Sequence, residues 1–151
     1  MKKIAIASLL AIAAFSASAV EVGVTAQRDY SLNPDRNGFG ITLGQKFDKV
    51  GLTGGFERYT QGANDTNRWS LVGGYDVAKF GDVTITPKVG IAYLDPTNTA
   101  NGWQASVGVG ASYAINKTVS LTADYRYQTA LQSRVNNFDG SVISAGIKVG
   151  F

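Results

Sequence analysis

The sequence predicts an all-β fold, an eight-stranded antiparallel up-and-down transmembrane β-barrel. Three observations predict it. Eight segments of about ten residues alternate apolar and polar side chains, the length of a tilted membrane strand. The connections between them are alternately short and long. Aromatic residues collect near the segment ends, around an aliphatic middle.

The chain opens on a targeting pattern. Lys2 and Lys3 are followed by an apolar run from Ile4 to Phe15 and by the small residues Ala17, Ser18 and Ala19. This is the three-part layout of a cleaved secretory signal. The run is shorter than the about 20 residues a spanning helix needs. Residues 1–19 are therefore assigned to a signal peptide and 20–151 to the barrel domain.

The strands follow in order. Residues 20–30 alternate around Val20, Val22, Val24 and Ala26, and 38–47 around Phe39, Ile41, Leu43 and Phe47. Residues 50–60 carry the weakest pattern, on Val50, Leu52 and Phe56. Residues 67–77 alternate around Trp69, Leu71, Tyr75 and Val77, and 82–94 around Val83, Ile85, Val89, Ile91 and Tyr93. In 102–113, Trp103, Val107, Val109 and Tyr113 share one face. In 119–128, Val119, Leu121, Ala123, Tyr125 and Tyr127 do the same. In 139–151, Ile143, Ala145, Ile147, Val149 and Phe151 close the series. Strict period-two alternation marks a strand with one apolar face.

Short turns are expected at 47–50, 78–81 and 114–117, and longer polar loops at 31–36, 61–66, 95–100 and 129–138. In a membrane barrel the short turns are periplasmic and the long loops extracellular. Both termini are then expected in the periplasm. The last loop places Leu131, Val135 and Phe138 beside Arg134, a candidate partner surface.

Alternation alone also fits a soluble ligand-binding barrel with its apolar face inward. The placement of aromatics decides for the membrane. Phe39, Trp69, Trp103, Tyr93 and Tyr127 fall at one set of ends, and Phe47, Tyr75, Tyr113 and Phe151 at the other. Two aromatic girdles match two lipid–water interfaces. The polar face is rich in Gly, Ser and Thr, which suits a crowded lumen.

Composition excludes several functions. With no His and no Cys, a Ser-His or Cys-His arrangement and a Cys/His zinc site are impossible. No catalytic, cofactor or metal site is expected, and the chain is read as non-enzymatic. After loss of Lys2 and Lys3 the charge is nearly balanced, without the basic stripe of a nucleic-acid binder.

The polar face places eleven charges toward the lumen: Glu21, Asp29, Lys46, Glu57, Arg68, Asp76, Asp82, Lys88, Asp124, Arg126 and Lys148. In a lumen barely wider than its side chains, such charges must pair. Glu57, Lys88, Asp124 and Arg126 are the candidate ion-pair network. Arg28 and Arg58 share the parity of the lipid-facing residues, and are candidate contacts for lipopolysaccharide phosphates.

The signal peptide, the hairpin from Gly110 to Lys117 running into 119–128, and the terminal Lys148-Val149-Gly150-Phe151 together resemble a known family. It is the small eight-stranded outer-membrane barrels that include OmpA-type transmembrane domains and OmpX-like proteins. The resemblance covers the mature chain as a pattern. It implies a monomer in a Gram-negative outer membrane, embedded in lipid and lipopolysaccharide. It also implies that Ile147, Val149 and Phe151 form the C-terminal signal read by the barrel assembly machinery. A structural or surface-interaction role, with extracellular partners met through the loops, is the leading expectation. A narrow passive channel for ions or small solutes is the alternative.

Overall fold

The computed structural model describes residues 19–32, 35–60, 65–97, 100–132 and 139–151. The leader up to Ser18 and the loop residues Arg134, Val135 and Phe138 lie outside the described residues. Among the described residues there are nine strands: β1 (Ala19–Asp29), β2 (Arg36–Phe47), β3 (Val50–Tyr59), β4 (Thr66–Tyr75), β5 (Ala78–Phe80), β6 (Val83–Pro96), β7 (Gly102–Ala114), β8 (Val119–Ala130) and β9 (Gly140–Gly150). All pair antiparallel with their neighbours, and β1 pairs with β9. β4 and the short β5 both pair with β6, so they form one stave of an eight-stranded closed barrel.

Closure carries a stagger. Following ladder partners from Asp29 through Val142, Arg126, Gly108, Lys88, Gly74, Gly51 and Lys46 returns to β1 at Ala19, ten residues from the start. With strands about 4.8 Å apart, this stagger implies a tilt of about 40° and a backbone radius of about 8 Å. The lumen is therefore filled largely by its own side chains.

The apolar face points outward. Val24, Ile41, Val89, Val107, Leu121, Ile143 and Ile147 are all exposed at mid-barrel, and Phe39, Trp103, Tyr127, Phe47, Tyr75, Tyr113 and Phe151 at its ends. Tyr93 and Trp103 meet edge to face at 5.3 Å across β6 and β7, and Phe56 lies 4.6 Å from Trp69 across β3 and β4. The soluble ligand-binding barrel is overturned by this arrangement, because its apolar face would point inward.

Two expectations about the fourth stave are corrected. The strand predicted over 67–77 breaks after Tyr75, and 78–81 is not a turn. Tyr75, Asp76 and Val77 face only two residues of β6, Thr86 and Pro87, which makes a bulge. It coincides with Pro87, which has no N–H for a ladder. The bulge keeps its own donors satisfied: Asp76 N donates to Lys49 O at 2.8 Å and Val77 N to Ile85 O at 3.1 Å. It also switches the outward parity, so Phe80 emerges at 70% exposure. The turn follows at Gly81-Asp82, with Gly81 at φ +60°, a conformation glycine adopts without penalty. Asp82, expected in the lumen, is therefore an exposed turn residue.

An arginine placed on the outer face should be costly by depth. Val107→Arg, at mid-strand, should destabilise the barrel by about 2–4 kcal/mol, and Phe80→Arg, at the rim, by about 0–1 kcal/mol. Equilibrium denaturant unfolding in phospholipid vesicles reads both; equal costs would contradict the outward belt.

Candidate functional site: the lumen

The lumen has two unlike halves. Near the loop end, where β1, β3 and β4 bring Asp29, Glu57 and Arg68 together, the polar groups are fully buried. Arg68 Nη2 donates to Asp29 Oδ2 at 2.5 Å, and Arg68 Nη1 to Glu57 Oε2 at 3.1 Å. The other oxygen of Glu57 accepts from Arg126 Nη2 at 2.5 Å. The Tyr59 hydroxyl accepts from Arg68 Nη1 at 2.7 Å and lies 2.8 Å from Glu57 Oε2 and 2.7 Å from Gln27 Oε1. The Arg68 guanidinium also lies 4.8 Å over the Tyr59 ring. Two cations and two carboxylates thus share one buried lock. Removal of Arg68 leaves Asp29 without a counter-ion, and removal of Glu57 leaves Arg126 without one.

An apolar layer adjoins the lock. Leu32, Tyr59 and Leu94 form a buried cluster, each at 1% exposure or less. Gln104, Gln128 and Thr66 are buried as well. No residue of this layer is one that strand alternation marks as functional. Tyr59 and Leu94 carry lumen parity, and that parity is the signal that could have found them. Leu32 lies beyond the end of β1, where parity gives no guidance.

Toward the turn end the lumen opens. A cavity of about 160 Å³ extends from Glu57, Gln27 and Arg126 down to Glu21, Lys46, Asp76 and Lys148. This is room for several waters. Hydroxyls of Thr25, Thr42, Thr53, Ser70, Thr84 and Ser106 line it. Its charges pair as Lys46–Asp76 at 2.5 Å, Lys148–Glu21 at 2.7 Å and Lys88–Asp124. Thr86 adds a 2.6 Å hydrogen bond to Asp76. These three pairs keep partial exposure, in contrast to the lock above them.

Glycines make the room. A Cβ at Gly108 would stand 2.7 Å from Arg126 Cβ, and one at Gly110 would stand 2.4 Å from Asp124 Oδ1. Small residues on β7 therefore let the long charged side chains of β6 and β8 cross the lumen.

The four residues expected to form one network fall into two pairs. Glu57 meets Arg126, and Lys88 meets Asp124. The larger cluster is instead built on Arg68, Asp29 and Tyr59. Among the described residues, the ion pairs of the lumen hold five acids and five bases, since Asp82 leaves the set. On the outer surface Arg28 and Arg58 face away from the lumen. Arg28 lies 3.5 Å from Asp35 and stacks 5.3 Å over Tyr30, while Arg58 contacts Asp65 at 2.5 Å. Ile147 and Phe151 are exposed on the outer face of β9 and its end, with Val149 half-buried between them.

Comparison with known proteins gives a family and a fold. The family model described as YfaZ precursor matches residues 1–141. No curated protein matches the chain in sequence. Among solved structures, the outer membrane protein OprG from Pseudomonas aeruginosa superposes with a TM-score of 0.68 at 13% identity, covering 89% of this chain and 95% of that one. Neisserial surface protein A gives 0.62 at 20% identity, covering 89% and 97%. The outer membrane enzyme PagL gives 0.56 at 13% identity, covering 87% and 98%. At such identities the shared property is the fold, that of a small eight-stranded outer-membrane barrel. PagL shows that the same fold also carries an enzyme, so architecture alone does not decide that question.

The two halves of the lumen should differ in what their ion pairs contribute. Arg68→Met leaves buried Asp29 without its cation and Glu57 with Arg126 alone, and should cost about 3–5 kcal/mol. Lys46→Met breaks a pair whose lysine is 39% exposed, and should cost less than about 1 kcal/mol. Denaturant unfolding in lipid vesicles distinguishes them, and comparable losses would refute the division.

Proposed function

We propose that this chain, which belongs to the YfaZ precursor family, is a monomeric, non-enzymatic barrel of a Gram-negative outer membrane, closed at rest and acting through the surface of its loop end. The observation that carries this reading is the buried lock: Arg68 is fully enclosed between Asp29 and Glu57, beneath the apolar layer of Leu32, Tyr59 and Leu94. A solute crossing the lumen would have to separate charges that no water replaces. The orientation follows from the connections. Short turns and both termini share one end, the periplasmic one, and the longer connections reach outside the cell. Residues 1–19 direct export, and the outward series Ile147, Val149, Phe151 engages the assembly machinery.

Absence of His and Cys from the chain supports the non-enzymatic role. Arg28 and Arg58 are proposed to meet lipopolysaccharide phosphates. Both lie on the outer face near the loop end, and a guanidinium offers more donors than its one aspartate partner uses. A second reading, a narrow gated path, draws on the cavity that reaches Glu57 and Arg126 from the turn end. In it the lock is the barrier that the described residues supply.

Planar-bilayer recording of the refolded protein tests the closed state. Wild-type currents should be at baseline, with steps appearing in Arg68→Ala. These steps should favour cations, because loss of Arg68 leaves one carboxylate in excess among the lumen pairs. Steady wild-type steps would favour the channel reading instead. For the outer surface, a double Arg28→Ala/Arg58→Ala variant should copurify with less lipopolysaccharide while remaining folded; unchanged lipopolysaccharide would remove that assignment.

A further inference from the structure

We infer that the segment leaving β1 and the ionic lock open and close as one unit, coupled through the two carboxylate oxygens of Asp29. The inference rests on the closed state proposed above. Asp29 Oδ1 accepts from Ser31 N at 2.8 Å and from Ser31 Oγ at 2.5 Å. Asp29 Oδ2 accepts from Arg68 Nη2 at 2.5 Å. One side chain therefore holds a surface connection by one oxygen and the lumen barrier by the other.

The connection is itself folded inward. Tyr30 N donates to Ser141 O at 2.8 Å, which continues β1 along β9. Ser31 then crosses over Gly140 so closely that a Cβ at Gly140 would stand 2.7 Å from Ser31 Cα. Leu32 packs with Tyr59 and Leu94, and the Tyr59 hydroxyl accepts from Arg68. The contacts thus form a closed circuit: Ser31 to Asp29, Asp29 to Arg68, Arg68 to Tyr59, Tyr59 to Leu32.

A closed circuit of buried contacts resists partial opening. Drawing Ser31 outward pulls Asp29 from Arg68 and leaves a buried guanidinium short of one counter-ion. Loosening Arg68 removes the group that fixes both Asp29 and Tyr59 under the cap. Such coupling is reciprocal. A partner that displaces residues 31–32 from the cell surface would therefore also unlock the lumen. This joins surface interaction and permeability in one device.

The chain has no Cys, so a Leu32→Cys variant carries a single thiol as a probe of the cap. In that background its labelling by a water-soluble maleimide should be slow. Asp29→Asn keeps an acceptor oxygen for Ser31 but presents no charge to Arg68. It should raise labelling roughly tenfold, the size of a typical coupling between sites. From the other side, Gly140→Ala should both speed labelling and produce bilayer current steps of the Arg68→Ala size. Heat-modifiable electrophoretic migration confirms that each variant is folded. Unchanged labelling in Asp29→Asn would overturn the coupling, as would Gly140→Ala with fast labelling but baseline current. Should Gly140→Ala fail to fold, the Asp29→Asn arm decides alone. Steady wild-type current would refute the closed state instead, and the labelling ratio remains readable in that case.

Discussion

Lipid offers no hydrogen-bond partner to a peptide group, and the rest of this structure depends on that constraint. Every stave must be paired on both sides, so β9 returns to β1 and the sheet closes. Closure at a stagger of ten residues sets a radius of about 8 Å. Even the Pro87 bulge respects the constraint, since Asp76 and Val77 send their N–H groups to Lys49 and Ile85. A narrow radius in turn decides what the interior can contain. Charges on the inner face come within contact distance of the opposite wall, where they must pair.

How they pair divides the lumen. At the loop end the pairs are largely buried and share partners: Arg68 holds Asp29 and Glu57, and Glu57 holds Arg68 and Arg126. At the turn end the pairs are simple, partly hydrated and separated by hydroxyls. Buried pairs of the first kind contribute little net stability over an apolar core, but they are costly to break singly. In the closed state proposed above they act as a barrier for that reason. The partly hydrated pairs are worth less and yield more readily. Gly108 and Gly110 sit between the two regimes and give the long side chains space to reach across.

The inward direction of Glu57, Arg68 and Arg126 was readable from parity, because side chains alternate across a strand. Their partners were not. Arg68 meets Asp29 from 39 residues away, Arg126 meets Glu57 from 69, and Lys148 meets Glu21 from 127. No local pattern encodes such meetings; they follow from the stagger of the whole barrel. This is why Lys88 and Asp124 belong to their own pair and not to a network with Glu57 and Arg126. Asp82 shows a different limit: it keeps the lumen parity of β6, but β6 begins only at Val83, so alternation was extended one residue too far, into the turn.

The number of staves, the faces of the strands outside the fourth stave's bulge and the aromatic ends were determined by the sequence by itself, because each is a local consequence of a pleated backbone meeting lipid on one side. Only the tertiary structure decided which charges face each other, where the bulge falls and which end of the lumen holds the buried pairs. Those depend on register accumulated around a closed ring, and on Leu32 turning inward beyond the last position that alternation governs.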